Sequence, residues 1–220
     1  MKIKNLNELE EKIDQELAWR KKELTSIRID VEASEQKEKS EQSKAIRIGI
    51  TMLYAHWEGA VKAIAEYYLV YVSGLHLKYG ELKNNFLAIT IKHSLNEFEE
   101  TKKATIHNKL IDNIYLKKDE ESQIPYKNVI KTESNLKMDI FKEIVATIGI
   151  DENPYMLKRM LIDQRLLGNR NKIAHGERLE MLDGIVVVSD YLELHTTVLE
   201  LIEKFALNIK EAARNEDYKS

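Results

Sequence analysis

From Leu6 to Val31 the chain repeats an apolar side chain at helical spacing, at Leu6, Leu9, Ile13, Leu17, Leu24, Ile27 and Val31. Charged residues lie between them, and no Gly or Pro interrupts the pattern. Such a stripe specifies an amphipathic helix, which must bury its apolar face against other elements. Eight Gly and two Pro in 220 residues leave little punctuation for a sheet of many short strands. The expectation is therefore an all-α protein. The length suits a single domain over 1–220, carrying a variable, mostly helical insertion at about 75–131.

Further stripes follow. Ile46, Ile50, Leu53, Trp57, Val61, Ile64 and Tyr68 predict a central helix from about Ala45, stopped at Gly74. The polar stretch 33–44 before it reads as an exposed helical extension or a mobile connection. From 75 to 131 the pattern loosens, with apolar positions at Leu82, Phe86, Ile89, Leu95 and Phe98, then Ile106, Leu110, Ile111 and Ile114. One or two short helices are expected there. Ser134 is placed to cap a helix ended by Gly149. Asn153-Pro154 restarts a helix running through Leu157, Leu161, Leu166 and Ile173 to His175, with Gly176 as its stop. Asp183-Gly184 between Leu179–Leu182 and Ile185–Val188 predicts a small β-hairpin. Ser189 then caps a last helix bearing Leu192, Val198, Leu199, Ile202, Phe205 and Ile209. Together these give a bundle of four or more helices with a small β-hairpin before the last.

The absence of cysteine excludes disulfides, thiolate metal sites and cysteine nucleophiles. The start, Met1-Lys2-Ile3-Lys4-Asn5, lacks the apolar stretch of a secretory signal, and the most apolar runs, Tyr67–Val72 and Ile144–Ile150, are too short to cross a bilayer. A cytoplasmic protein with no membrane contact is expected. A net charge of -3 argues against indiscriminate coating of nucleic acid, whose affinity comes from many neutralised phosphates. A local cationic cleft remains compatible with it.

The chemistry concentrates in Gly168-Asn169-Arg170-Asn171-Lys172-Ile173-Ala174-His175-Gly176-Glu177. Arg170 can hold a phosphate by charge-assisted hydrogen bonds, His175 is of the type that titrates near neutral pH, and Asn171 can orient a nucleotide or the imidazole. Asn171 and His175, four residues apart, share a helix face, whereas Arg170 sits about 140° from His175 on a regular helix. Either the last turn distorts near Gly176, or a second copy of the segment faces the first across a dimer axis.

Arg170, the polar Asn171 and His175 five positions after the arginine resemble the motif of the HEPN superfamily. The longer string Arg-Asn-Lys-Ile-Ala-His-Gly-Glu, with Leu53-Tyr54-Ala55-His56-Trp57-Glu58-Gly59 and Lys62 on the earlier helix, resembles its MAE-type group of nucleases. The resemblance covers the helical core and leaves out 75–131. It implies metal-independent cleavage of RNA, in which the 2′-hydroxyl attacks the neighbouring phosphodiester and leaves a 2′,3′-cyclic phosphate. His175 would act as general base or acid, Arg170 would stabilise the phosphorane, and Asn171 would position His175 or the phosphate. It further implies a homodimer, an RNA substrate, and a toxin or antiviral-defence setting with an antitoxin or defence-system partner. A non-catalytic module binding RNA, a nucleotide or a partner protein is the alternative, and a purely structural helical bundle is a third.

Lys172, Glu58 and Lys62 are candidates for substrate binding or for support of the site. Glu58 and Lys62 can pair at i, i+4, or Glu58 can tether Arg170 or Lys172. No cofactor is expected. No metal is expected either, since there is no His-Glu-x-x-His pair and the six His are scattered. His93, His107 and His195 read as surface or packing residues.

Overall fold

The computed structural model describes residues 2–100 and 102–220, with the side chains of 93, 94 and 96–100 outside the description. Phe98 and His93 therefore lie outside the described residues. Two long helices, α1 (Leu6–Ser34) and α2 (Lys39–Ser73), pack side by side, and the final helix α8 (Val188–Arg214) packs on both. Asn5 caps α1 by accepting a hydrogen bond from the Glu8 backbone N–H at 2.9 Å. The polar 33–44 stretch resolves into a tight turn after Ser34 and the first turns of α2, so the central helix begins six residues ahead of Ala45.

Across α2 from α1 lies an aromatic core. Trp57 of α2 stacks on Phe141 of α5 (Met138–Ile148), with ring centroids 5.4 Å apart. Tyr155 of the short α6 (Asn153–Met156) and Phe205 of α8 meet the Phe141 edge-on at 4.9 and 5.7 Å. The 75–131 segment forms two helices, α3 (Asn84–Glu100) and α4 (Ala104–Lys117), of which α3 packs on α5. Asn85 secures that contact by donating to the Thr147 carbonyl at 2.9 Å.

Several expectations are corrected. Ser134 does not cap α5. It sits at φ +53 beside Glu133 at φ +56, and the helix starts at Met138, whose N–H donates to Asp163 Oδ1 at 2.7 Å. The helix expected from Asn153 to His175 is broken after Met156. Leu157, 94% exposed, lies in a turn, and Leu161–Gly168 then winds as a π-helix before α7 (Asn169–Ala174).

The expected hairpin at 179–188 is absent, and no strand is present among the described residues. Leu179–Met181 is instead a 3-10 turn. Its neighbours' backbone groups are claimed by side chains. Asn169 takes both the N–H and the C=O of Asp183, Arg165 binds the Gly184 carbonyl, Lys172 binds the Met181 carbonyl, and Asp190 accepts from the N–H of Val186 and Val187. Few ladder donors and acceptors remain for strand pairing. The same Asp190 carboxylate anchors the entry to α8, the role expected of Ser189.

Two buried histidines face α1. His195 of α8 pairs Nε2 with the Leu24 carbonyl at 3.1 Å. His56 of α2 lies beside Arg20, whose Nη1 is 3.4 Å from Nδ1. Glu23 approaches the other ring nitrogen of His56 to 2.9 Å, within ion-pair distance yet out of hydrogen-bond alignment. Burial lowers the pKa of both imidazoles. Arg20 pushes His56 further down against the pull of Glu23 and Glu16. At His195 the Leu24 carbonyl and Glu32 pull up, and Arg28 pushes down.

A histidine whose folded pKa lies below its unfolded 6.5 leaves the unfolded chain binding more protons. Stability is then complete above that value and declines as pH falls through it. The denaturation midpoint should hold between neutral and mildly basic pH and drop on acidification below 6.5. The double variant His56→Gln/His195→Gln should flatten that decline, and an unchanged slope would remove both residues from the account.

Candidate active site

The π-helical stretch feeds directly into α7, and such a stretch accommodates extra residues per turn. At its exit Asn169 is fully buried. Its amide donates to the carbonyls of Arg165 and Asp183 at 2.9 and 3.0 Å and accepts from the Asp183 N–H at 2.7 Å. Asn169 therefore locks the loop after the motif onto the helix that carries it. Lys172 adds to the lock through the Met181 carbonyl and the Asp183 carboxylate, each at 2.9 Å.

Arg170 is half-buried and held on several sides. Its guanidinium carbon lies 4.2 Å from the centroid of the Tyr54 ring. One terminal nitrogen donates to Asn171 Oδ1 at 2.8 Å and the other to the Ser134 carbonyl at 2.9 Å. Asn171 in turn approaches Asn135 Oδ1 at 3.3 Å. The left-handed pair Glu133 and Ser134 belongs to the same loop, and such conformations cost about 1–3 kcal/mol each unless their surroundings hold them. Tyr54 accepts from the Leu136 N–H at 2.7 Å. Burial pushes the Tyr54 phenol up, with Glu58 acting the same way and with the Leu136 N–H and Arg170 acting against it. Two of the guanidinium's nitrogens are thus engaged within the chain, while its remaining N–H groups are available to an anion.

His175 ends α7. Its backbone N–H still reaches the Asn171 carbonyl at 3.0 Å, so the helix stays regular to this point, and Gly176 at φ +85 turns the chain away. The imidazole is exposed, without a hydrogen bond or ion pair among the described residues. The distortion that would draw Arg170 and His175 together is thus not found, and within one chain they occupy different sides of α7. The Asn171 side chain bonds Arg170, and no hydrogen bond joins it to the His175 imidazole among the described residues.

Among the supporting candidates, Glu58 lies near the Tyr54 hydroxyl, and no ion pair joins it to Lys62, Arg170 or Lys172 among the described residues. Lys62 is exposed; burial raises the pKa of Glu66, and the charge of Lys62 acts against that rise. No group of three or more His, Asp or Glu assembles as a metal site among the described residues. No helix among them is long and apolar enough to cross a membrane.

Residues that motif reasoning missed are Tyr54, Ser134, Asn135 and Asn169. Tyr54 stands inside the noted Leu53–Gly59 string, four residues before Glu58, so helical spacing toward the arginine was a usable signal. Asn169, adjacent to the motif, reads as one more polar residue until its burial is known.

No curated protein and no solved structure matches the chain. The family model of RiboL-PSP-HEPN matches residues 15–211. That span runs from within α1 to the last turn of α8 and includes 75–131, beyond the helical core that carried the likeness in sequence. The MAE-type likeness still rests only on the residues that suggested it. With a helical core that presents Arg170, Asn171 and His175 on α7 and a match over most of its length, the chain belongs to the RiboL-PSP-HEPN family of the HEPN superfamily.

Proposed function

We propose that this protein is a metal-independent endoribonuclease acting as a homodimer in the cytoplasm. The observation that carries this reading is Arg170, pre-positioned over Tyr54 with donors to spare, one helical segment away from an unencumbered His175. An anion-binding group and an exposed imidazole are the two functions that transesterification of RNA requires.

In the reaction the RNA 2′-oxygen attacks the adjacent phosphorus, its proton passes to a histidine acting as base, the bond from phosphorus to the 5′-oxygen breaks, and that oxygen takes a proton from an imidazolium or from water. Arg170 offsets the charge that builds on the phosphorane. Asn171 orients the guanidinium through its Oδ1 atom, a role the geometry favours over orienting His175. Because Arg170 and His175 diverge on α7, a second copy supplying the complementary residue completes the site. A toxin or antiviral-defence effector, checked by an antitoxin or another defence-system protein, is the biological setting we propose on family grounds.

The same divergence favours one second reading, a non-catalytic module that binds RNA, a nucleotide or a partner protein. Purified protein incubated with RNA in excess EDTA separates the two. Cleavage should proceed and leave 2′,3′-cyclic phosphate ends, because histidine and arginine do the work assigned elsewhere to a metal-bound water. Activity that EDTA abolishes and a divalent ion restores would overturn the mechanism, and intact RNA in both conditions would favour the binding module.

A further inference from the structure

Beside α7 the N-terminal half of α2 carries a groove lined by Lys44, Arg47, Ile48, Thr51, Met52 and Ile173. Arg170 meets α2 at Tyr54, and Ile173 meets it near Ile48 and Met52. The segment therefore runs back along α2, from Tyr54 toward Ile48. The floor is apolar, with Ile48 51% exposed.

The cations at the rim differ from many others in the chain. Lys21, Lys210, Arg214 and Arg159 are each paired with a carboxylate, to Glu203, Asp14, Glu10 and Asp139. Lys44 and Arg47 form no ion pair among the described residues, and the Arg47 Nε is buried with no acceptor. A buried donor left without a partner is costly. At i, i+3 spacing the two cations share one helix face. Past Lys44 and Ile48 the surface continues between the end of α1 and the start of α2, where Asp30 and Glu41 stand with Lys37 and the charge is mixed.

We infer that Lys44 and Arg47 form a phosphate-binding track for a single RNA strand, with bases resting on Ile48, Met52 and Ile173, leading the strand to α7. This rests on the reading of the protein as an RNA-cleaving or RNA-binding chain. A single strand suits the groove because its phosphates and unstacked base faces are available together.

The test measures binding of a short labelled single-stranded RNA to the full chain in a His175→Ala background, by anisotropy across a salt series. It compares Lys44→Gln/Arg47→Gln with Lys109→Gln/Lys118→Gln, which removes the same charge from exposed positions at α4. The first pair should weaken binding by at least about tenfold at low salt. It should also make the log–log salt slope shallower by about 1.4, at about 0.7 per lost phosphate contact on a single strand. The second pair should change both little.

Circular dichroism and light scattering of each variant accompany the series. Unchanged affinity and slope in a folded Lys44→Gln/Arg47→Gln protein overturn the track, even where wild type cleaves RNA. A changed oligomeric state with unaltered RNA binding also overturns it and assigns the groove to a second copy. Binding that depends on Lys44 and Arg47 in a protein that cuts no RNA keeps the track and discards the nuclease reading. No RNA binding at all discards both.

Discussion

His175→Ala and Arg170→Ala should each lower RNA cleavage by at least about a hundredfold, the scale of a lost general acid–base or charge-stabilising group. The two losses differ in structural cost. The exposed His175 makes no side-chain contact that packing needs, so its variant should melt as wild type does. Arg170 gives up its seat on Tyr54 and its bonds to Asn171 and the Ser134 carbonyl, for about 1–3 kcal/mol, and the variant should remain folded at a lowered melting temperature. Arg170→Lys, which keeps the charge and loses the planar fork, should still be strongly impaired.

Mixing the two inactive chains separates a composite site from a local one. If each site joins Arg170 of one protomer to His175 of its partner, a heterodimer of the two variants holds one intact site and one doubly dead one. Free exchange should then restore about a quarter of wild-type activity. A mixture as inactive as its parts would place the whole site within one chain, and full activity in either pure variant would remove that residue from catalysis.

Local rules carried the reading of the bundle a long way. The stripe from Leu6 to Val31 is α1, the stripe through Trp57 is α2, and Gly149 at φ +76 ends α5 as its lack of a Cβ suggests. The missing hairpin and the Ser134 cap share one cause, side chains that bind backbone beyond the local turn. Asp183-Gly184 is a good hairpin turn by local chemistry, but Asn169, Arg165 and Lys172 take the backbone groups around it. Ser134 is a good cap residue by type, yet its carbonyl serves Arg170 from a left-handed backbone. The motif was legible at Arg170, Asn171 and His175 because it lies in one short segment. The seat of Arg170 was not, since Tyr54 and Ser134 stand 116 and 36 residues away from it.

Arg20→Ala should destabilise the protein by about 3–5 kcal/mol, the cost of stripping one partner from a buried ion pair. The Arg20 and Glu16 side chains are only 8% and 14% exposed. Nε and one terminal nitrogen of Arg20 both donate to Glu16 Oε1, at 3.0 and 2.5 Å, and Tyr67 donates to the other carboxylate oxygen at 3.1 Å. The guanidinium also reaches the His56 carbonyl at 3.3 Å and lies 4.4 Å from the Trp19 ring. Space for it is reserved by Gly59, where a Cβ would come within 2.8 Å of a terminal nitrogen. Without Arg20, Glu16 keeps a buried charge whose remaining side-chain hydrogen bond among the described residues comes from the Tyr67 hydroxyl. Arg28→Ala is the matched control. It breaks another i, i+4 pair on α1, with Glu32, whose side chains are more than 40% exposed, and should cost under about 1 kcal/mol. In Arg20→Met/Glu16→Met the stranded charge is gone, so much of the lost stability should return. Chemical denaturation read by helical circular dichroism measures all three. Equal small losses for Arg20→Ala and Arg28→Ala would show that water reaches Glu16 freely, and that burial of the pair contributes nothing to the joint between α1 and α2.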